Sequence, residues 1–209
     1  RVLPVQREFI ADRFQTRNGA PLAVRWSGNR GDHDLNPGMP RHKSLIAAAV
    51  LVPLVDRPGG LTVLLTQRTA HLNSHAGQIS FPGGRVEPDD SSHEAAALRE
   101  TKEEIGLAAD RVEIIGRLDH YVVRSGYRVT PVVGFVNPPF EIHADPFEVA
   151  DVFEVPLRFI LDRKNHKTDT RIHDGVERSF YVLPYEDRYI WGATAGMLVN
   201  LTDVLVDGN

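Results

Sequence analysis

Three glutamates within one predicted helix constrain this chain more than any other feature of its sequence. The stretch Arg99–Gly106 has the pattern Arg-Glu-x-x-Glu-Glu-x-Gly. At about 100° per residue, Glu100, Glu103 and Glu104 fall on one face of that helix. Like charges at these spacings destabilise a helix, so a cation that neutralises them is the simplest explanation for the cluster. Hard carboxylate oxygens suit Mg²⁺ or Mn²⁺, and the stretch therefore predicts a divalent metal site on a helix.

The neighbours of the glutamates favour this metal site over an ordinary solvated acidic face. A solvated face interleaves positive and negative side chains. Here Arg99 alone lies near the glutamates, because Lys102 points to the other side of the helix. Leu98 and Ile105 point away from them, as expected of a stripe that packs on the core.

The charge and the residue content exclude several classes of protein. The 209 residues are enough to bury a substantial core. The net charge of −4 argues against a nucleic-acid binder, so an anionic substrate needs a local arginine or lysine or a metal bridge. No apolar run approaches the ~20 residues that span a bilayer, and the first residues lack a secretory signal pattern. With no cysteine, the chain has no disulfides or thiol chemistry, and we expect a cytoplasmic protein. Because it lacks a long apolar run, we expect no membrane partner.

Turn-forming residues divide the chain into a leading segment and one main domain. Residues 4–16 have the pattern of a short amphipathic helix, and residues 27–43 contain the glycines and prolines of a mobile connection. We therefore assign residues 1–43 to an N-terminal helix and connection, and residues 44–209 to the main domain.

Strands outnumber helices in this main domain. The predicted strands are Leu45–Val55, Leu61–Gln67, Val112–Val123, Tyr127–Val136, Val149–Val155 and a hairpin around Asp174-Gly175. The predicted helices cover residues 91–105, Pro156–Asp162 and 192–205. Pro53 is expected to end the first strand. Because strands and helices do not alternate regularly, the pattern favours an α/β sandwich with a mixed sheet over a doubly wound parallel fold.

Small residues predict both ends of the acidic helix. Gly83 and Gly84 allow a sharp turn that brings the backbone close to a phosphate or a metal. Ser91 and Glu94 have the spacing of a capping box, with Ser91 as the cap. Gly106 fits the helix C-terminus, which is a structural role.

The acidic helix and the glycines before it resemble the Nudix box, which reads G-x5-E-x7-R-E-U-x-E-E-x-G-U with U an aliphatic residue. The matching positions are Arg99, Glu100, Glu103, Glu104, Gly106 and Leu107, with Thr101 at an aliphatic position. The first half departs from the box, because 14 residues separate Gly84 from Arg99, one more than the pattern has. Ser91 stands where the box has its first glutamate, so Asp90 or Glu87 is the candidate replacement.

The stretch before the box resembles the signature of the coenzyme A pyrophosphatase branch, L-L-T-x-R-S-x3-R-x3-G-x3-F-P-G-G. In this chain it reads Leu64-Leu65-Thr66-Gln67-Arg68-Thr69-x3-Asn73-x3-Gly77-x3-Phe81-Pro82-Gly83-Gly84. Thr69 in place of serine is a mild change, whereas Asn73 in place of arginine removes a cation. Ile190–Ala195 also resembles this branch, and residues 1–43 carry no such signature.

The resemblance implies a Nudix-like α/β/α sandwich with a mixed β-sheet and the hydrolysis of a diphosphate linked to another group. It assigns Glu100, Glu103 and Glu104 as ligands of Mg²⁺ or Mn²⁺ and Arg99 as the residue that orients a carboxylate. The general base is left open, with Glu103 as the first choice and Glu148, on a later loop, as the alternative.

The branch further implies coenzyme A or acyl-coenzyme A as substrate, with 3′,5′-ADP and (acyl-)4′-phosphopantetheine as products. Arg68 and then Arg85 are the candidate phosphate ligands, beside Gly83 and Gly84. NADH, ADP-ribose or another nucleoside diphosphate derivative stays an alternative substrate. A non-catalytic nucleotide-binding module is the third hypothesis, which the intact set of carboxylates disfavours. Many relatives form dimers. The resemblance therefore allows a homodimer, although no residue of the sequence marks an interface.

Overall fold

Two apolar runs form the centre of the main sheet. In this computed structural model, which describes residues 6–18, 30–72 and 76–207, strand β2 (Ile46–Val55) pairs in parallel with strand β8 (Tyr127–Val136). Ile46 lies opposite Tyr127, and the pairing continues to the end of both strands. Both strands are covered on their two faces over most of their length, which explains why Ala48–Val55 and Pro131–Val136 are apolar runs rather than alternating ones.

The prediction that Pro53 ends this strand is wrong, since β2 continues to Val55. Leu51 donates its N–H to the Pro82 carbonyl, and the ladder to the next strand starts only at Leu54. On the side of β2 that faces β5 and β3, Pro53 therefore falls in a gap between ladder partners, where its missing N–H removes no regular ladder bond.

The described part of the main sheet has nine strands of mixed direction. The other strands are β1 (Arg30–Gly31), β3 (Thr62–Arg68), β4 (Ile79–Ser80), β5 (Gly83–Arg85), β6 (Val112–Arg117), β7 (Tyr121–Val122) and β9 (Val149–Pro156). Their order is β1-β7-β8-β2-β3-β4, with β5 on β2, β6 on β8 and β9 on β3. Only β2–β8 and β1–β7 are parallel among these pairs of described strands, so the predicted mixed sheet is confirmed. The predicted single strand Val112–Val123 is wrong, because it is divided into β6 and β7.

Helices cover both faces of the main sheet. They are α1 (Arg7–Asn18), α2 (His93–Ile105), α3 (Leu157–Leu161) and α4 (Gly192–Thr202), which a π-helical turn follows at Asp203–Asp207. Along β2, Ala48 and Val52 face the core that α1, α3 and α4 share. Ala49 and Leu51 face the second core, under α2. This alternation confirms the predicted α/β/α sandwich.

A second, smaller sheet lies beside α4. It consists of the antiparallel strands β10 (Lys167–His173), β11 (Val176–Tyr185) and β12 (Arg188–Trp191). The predicted hairpin around Asp174-Gly175 is confirmed, and both turn residues have positive φ, at 51° and 74°. Its strands are longer than the sequence indicated, and β12 leads directly into α4.

The leading segment is attached to the main domain. Ile10 and Phe14 of α1 are completely buried, one turn apart, which is the spacing of a helix face. Arg30 and Gly31 add β1 to the main sheet beside β7. Residues 4–5 and 27–29 of the predicted helix and connection lie outside the described residues, as does Asn73, and the boundary at residue 43 stays a prediction. Among the described helices, none is long and apolar enough to cross a membrane.

Candidate active site

The predicted C-terminal cap of α2 is confirmed and the predicted N-terminal cap is wrong by one residue. Gly106 has φ 71° and donates its N–H to the Lys102 carbonyl at 2.9 Å. At the other end α2 starts at His93, so the hydroxyl in the cap position is that of Ser92, which accepts from the Ala95 N–H at 3.1 Å. Ser91 is therefore not the cap.

The carboxylate of Glu94 pairs with Arg117 instead of forming the predicted capping box. It accepts two hydrogen bonds from Arg117 of β6, the longer one at 2.7 Å, and Arg117 lowers its pKa. This ion pair ties the first turn of α2 to the main sheet.

Arg99 is shared by three carboxylates. Its Nε and Nη2 donate to the two oxygens of Asp90 at 3.0 and 2.9 Å. Its Nη1 donates to Glu100 at 2.9 Å and to Glu103 at 3.3 Å. The fork to Asp90 is the bidentate arrangement that fixes a guanidinium in one orientation. Arg99 thereby holds Glu100 and Glu103 on the same side of α2.

Asp90, one of the two candidates for the first glutamate of the box, bonds to Arg99. The hydrogen bond from Arg99 lowers the pKa of Asp90 to about 2, helped by the N–H of Glu87, which donates at 2.8 Å. Of the two candidates for this position, the structure thus brings the Asp90 carboxylate to Arg99.

Glu104 is the most buried of the three glutamates. Its side chain is 7% exposed, whereas that of Glu103 is 59% exposed. Burial raises the pKa of Glu104 to about 7, against the opposing effects of the Gly83 N–H at 3.2 Å and of Arg68 at 3.7 Å. The charge of Glu100 raises the pKa of Glu104 further.

Burial also raises the pKa of Glu100, with Arg99 acting in the opposite direction. The charge of Glu148 raises the pKa of both Glu100 and Glu104. These carboxylates therefore repel one another in a partly dry environment, which is the condition that a bound cation relieves.

Both glycines before α2 are required by close approaches. A Cβ added to Gly84 would lie 2.5 Å from the carboxylate carbon of Glu100. A Cβ added to Gly83 would lie 2.4 Å from the backbone oxygen of Ala49 in β2. The two glycines thus allow β5 to lie close both to its neighbour β2 and to the carboxylate of Glu100 in α2.

The loop that carries Glu148 is fixed to the same region by backbone hydrogen bonds. Asp145 donates its N–H to the Glu104 carbonyl at 2.8 Å, and His143 donates to the Ile105 carbonyl at 2.8 Å. The Glu148 carbonyl accepts from the Thr69 N–H at 2.9 Å, one residue beyond β3. No local pattern in the sequence predicts these contacts, because they join segments that are far apart along the chain.

The two predicted arginine ligands differ in position. Arg68 faces Glu104, and its buried Nε has no hydrogen-bond partner among the described residues. Arg85 instead contributes its carbonyl, which accepts from Arg99 at 3.1 Å, while the residue itself is exposed. The buried Nε of Arg68 is a donor that a ligand oxygen would satisfy.

The donor set fits a divalent cation by its chemistry. Across residues 6–18, 30–72 and 76–207, no three His, Asp or Glu side chains are already gathered as a metal cluster, since Arg99 holds Glu100 and Glu103. Glu100 and Glu104 nevertheless offer hard, desolvated carboxylate oxygens whose negative charges are only partly compensated. Such a pair is stabilised when a divalent ion binds.

The sequence comparisons agree with this geometry. The model of the NUDIX domain matches residues 45–173. An uncharacterized Nudix hydrolase named NudL from Yersinia pestis (strain Pestoides F) is 41% identical over 154 residues, 74% of this chain and 77% of the relative. NudL of Yersinia pseudotuberculosis serotype O:1b gives the same values. The chain belongs to the Nudix family.

Membership in this family defines the class of enzyme. The protein is a pyrophosphohydrolase that acts on a nucleoside diphosphate derivative, and Nudix hydrolases generally use divalent metal ions such as Mg²⁺. Among solved structures, a MutT/nudix family protein from Enterococcus faecalis is 19% identical, with TM-score 0.49, covering 97% of this chain and 75% of its own. A similarity this distant carries no argument about the substrate.

Proposed function

We propose that this chain hydrolyses the diphosphate bond of coenzyme A or acyl-coenzyme A and releases 3′,5′-ADP and (acyl-)4′-phosphopantetheine. The supporting observation is the position of the stretch Leu64–Gly84, which resembles the coenzyme A pyrophosphatase branch. Among the described residues, this stretch contributes both polar partners of the Glu104 carboxylate, namely Arg68 and the N–H of Gly83. The part of the sequence that suggests coenzyme A is therefore in contact with the part that suggests metal-dependent hydrolysis.

Glu100, Glu103 and Glu104 would hold the ion, and Mg²⁺ or Mn²⁺ is the ion we propose. When bound, a divalent ion neutralises the diphosphate and lowers the pKa of a water molecule. The residues of the chain prepare this site before the ion arrives. Arg99 orients Glu100 and Glu103, and the Gly83 N–H orients Glu104.

The general base is one of two carboxylates that differ in environment. Glu103 is largely exposed and bonded only to Arg99 at 3.3 Å among the described residues, so it is free to accept a proton from water. Glu148 is half-buried and interacts electrostatically with Glu100 and Glu104. We expect the Glu103→Gln variant to lose more kcat than the Glu148→Gln variant, and the reverse order would assign the base to Glu148.

Substrate phosphates are proposed to contact Arg68 and the backbone at Gly83 and Gly84. The unsatisfied Nε of Arg68 supports this assignment. Arg85 is exposed and close to the same backbone, which suits a contact with the outer part of a substrate. We further propose a cytoplasmic location, in keeping with the absence of cysteine, and a homodimer stays a prediction.

A panel of substrates tests the proposed function. Turnover of coenzyme A, dephospho-coenzyme A, acetyl-coenzyme A, NADH and ADP-ribose is measured with Mg²⁺ and then Mn²⁺, and the products are identified by mass. We expect coenzyme A or its acetyl form to have the highest kcat/KM and to release 3′,5′-ADP. A preference for NADH or ADP-ribose, which the loss of a cation at Asn73 would favour, would contradict the proposed substrate. No turnover at all would favour a binding module.

A further inference from the structure

A cleft lies on the other side of the main sheet from α2. Its volume is about 510 Å³, and it opens between the small sheet and the chain that enters β4. Leu64 of β3 packs under α2, Leu65 packs in the opposite core, and Gln67 has the same side-chain direction as Leu65. The residues of the cleft that matter here are Gln67, Gly77, Ile79, Arg171, Tyr189 and Trp191.

Arg171 is held in this cleft by aromatic rings. Its guanidinium carbon lies 4.8 Å from the ring centre of Trp191, 5.4 Å from that of Phe180 and 5.7 Å from that of Tyr189. Rings that stack on a guanidinium leave its N–H donors free at the edge of the plane. No carboxylate of the described residues forms an ion pair with Arg171. The nearby Asp169 accepts instead from the Tyr189 hydroxyl at 2.7 Å.

Arg188, the other arginine of the cleft, is already neutralised. Its Nη1 donates to Gln67 at 2.6 Å, and it forms ion pairs with Asp151 and, at 3.5 Å, with Asp187. Its guanidinium also stacks on Phe153, at 4.4 Å from the ring centre. Among the described residues, Arg171 is therefore the arginine of the cleft without an ion-paired carboxylate. It interacts with the Tyr189 hydroxyl, and its charge adds to the effect of that hydroxyl in lowering the pKa of Asp169. Arg171 is exposed, so an anion can reach it.

Residues that are close together in the sequence connect the cleft to the proposed active site. Gln67 precedes Arg68, which faces Glu104 on the other side of β3. Ile79 lies opposite Gln67 in the ladder, four residues before Gly83. A substrate whose diphosphate lies at Arg68 and Gly83 would thus extend over the edge strand β4 into the cleft.

We propose that Arg171, fixed by Trp191, Tyr189 and Phe180, binds the phosphomonoester at the nucleoside end of the substrate. A planar, preorganised guanidinium is suited to a phosphate with two or three free oxygens. The identity of the nucleotide rests on the proposed function, in which this group is the 3′-phosphate of coenzyme A. Arg171 would then determine specificity without taking part in the chemistry.

A smaller basic pocket is the competing site for this phosphate. It has a volume of about 230 Å³ and contains Arg41, His42, Arg124 and Arg178. Arg178 lies opposite Arg171 in the ladder between β10 and β11, so it is a matched control for position and charge. Among the described residues, this pocket is lined by no Phe, Tyr or Trp and by no residue from the stretch 64–84.

The test compares coenzyme A with dephospho-coenzyme A in four proteins: the wild type, Arg171→Gln, Arg171→Lys and Arg178→Gln. Loss of a charge-assisted contact predicts a rise of about 10- to 100-fold in KM for coenzyme A in Arg171→Gln. We expect kcat to stay within about twofold, KM for dephospho-coenzyme A to be unchanged, and Arg171→Lys to be intermediate. Equal effects on both substrates, no effect, or a coenzyme A-specific loss in Arg178→Gln alone would overturn the proposal.

Binding of the product nucleotides separates this proposal from the proposed function. Calorimetry measures the affinity of each protein for 3′,5′-ADP and for 5′-AMP. If wild type prefers 3′,5′-ADP and Arg171→Gln loses that preference, the phosphate site stands even if coenzyme A is not hydrolysed. If wild type hydrolyses coenzyme A and the preference survives in Arg171→Gln, the site is wrong and the function stands. The melting temperatures of the variants check that each one folds, and Arg171→Lys repeats the test with the charge retained.

Discussion

The face of α2 and the cleft beside the small sheet each contain an arginine, but the groups around the two arginines differ. Beside α2, the guanidinium of Arg99 forms ion pairs with three carboxylates, those of Asp90, Glu100 and Glu103. In the cleft, Arg171 is surrounded by rings instead. The first arrangement leaves an excess of negative charge, which suits the proposed metal ion, and the second leaves a positive charge, which suits the proposed phosphate.

Strand β3 connects these two environments. Gln67 orients an arginine in the cleft, and the next residue, Arg68, faces Glu104. In the proposed assignment, the α2 side of this strand holds the metal ligands and the contacts to the diphosphate, and the cleft side holds the contact to the terminal phosphate. The comparison predicts that substitutions on the α2 side lower kcat, whereas substitutions in the cleft raise KM.

The largest effect is expected from Glu104→Gln. This change removes a negative charge from a buried position and keeps the size of the side chain, so the fold should be retained while metal-dependent turnover falls on the order of a thousandfold. Rates at saturating Mg²⁺ and the melting temperature are measured together. Glu141→Gln, an exposed carboxylate paired with His143, is the control and should have wild-type activity. Activity within tenfold of wild type for Glu104→Gln would remove it from the proposed ligand set.

A smaller loss is expected from Gly84→Ala. The new methyl group would lie 2.5 Å from the carboxylate carbon of Glu100, which must move away. We expect kcat to fall about 10- to 100-fold, as for other changes that misorient a metal ligand, with a higher Mn²⁺ concentration at half-maximal rate. Gly59→Ala is the control, since nothing lies within 4 Å of its added Cβ. A wild-type Mn²⁺ dependence in Gly84→Ala would show that Glu100 does not depend on this close approach.

The smallest of the three effects is expected from Trp191→Leu. Loss of the ring closest to Arg171 should raise KM for coenzyme A about three- to tenfold through lost stacking, with kcat unchanged. Steady-state kinetics with coenzyme A measure both parameters. Ile172→Ala is the control, because Ile172 neighbours Arg171 in the chain, points to the other face of β10 and is 69% exposed. A fall in kcat for Trp191→Leu would indicate that the cleft affects the chemistry itself.

The sequence predicted the α2 face well because its information is local. Glu100, Glu103 and Glu104 have a helical spacing, and Gly106 ends the helix where a positive φ is required. The cap was misplaced by one residue because Ser91 and Ser92 are adjacent and both have a hydroxyl. In the structure the Ser92 hydroxyl caps α2, and the Glu94 carboxylate pairs with Arg117, a residue that is distant along the chain.

The cleft could not be predicted in the same way because its information is distant along the chain. Arg171 depends on rings at Phe180, Tyr189 and Trp191, which only the pairing of β10, β11 and β12 brings together. No local spacing marks these residues as partners. In the same way, Pro53 is compatible with its strand only because the neighbouring ladders leave a gap there.

The most direct test of separate roles for the α2 face and the cleft is to measure kcat and KM for coenzyme A in Gly84→Ala and in Arg171→Gln. The account predicts that Gly84→Ala lowers kcat at saturating substrate, while Arg171→Gln raises KM and leaves kcat within about twofold. If both variants change the same parameter by similar factors, the α2 face and the cleft do not have separate roles, and the account is contradicted.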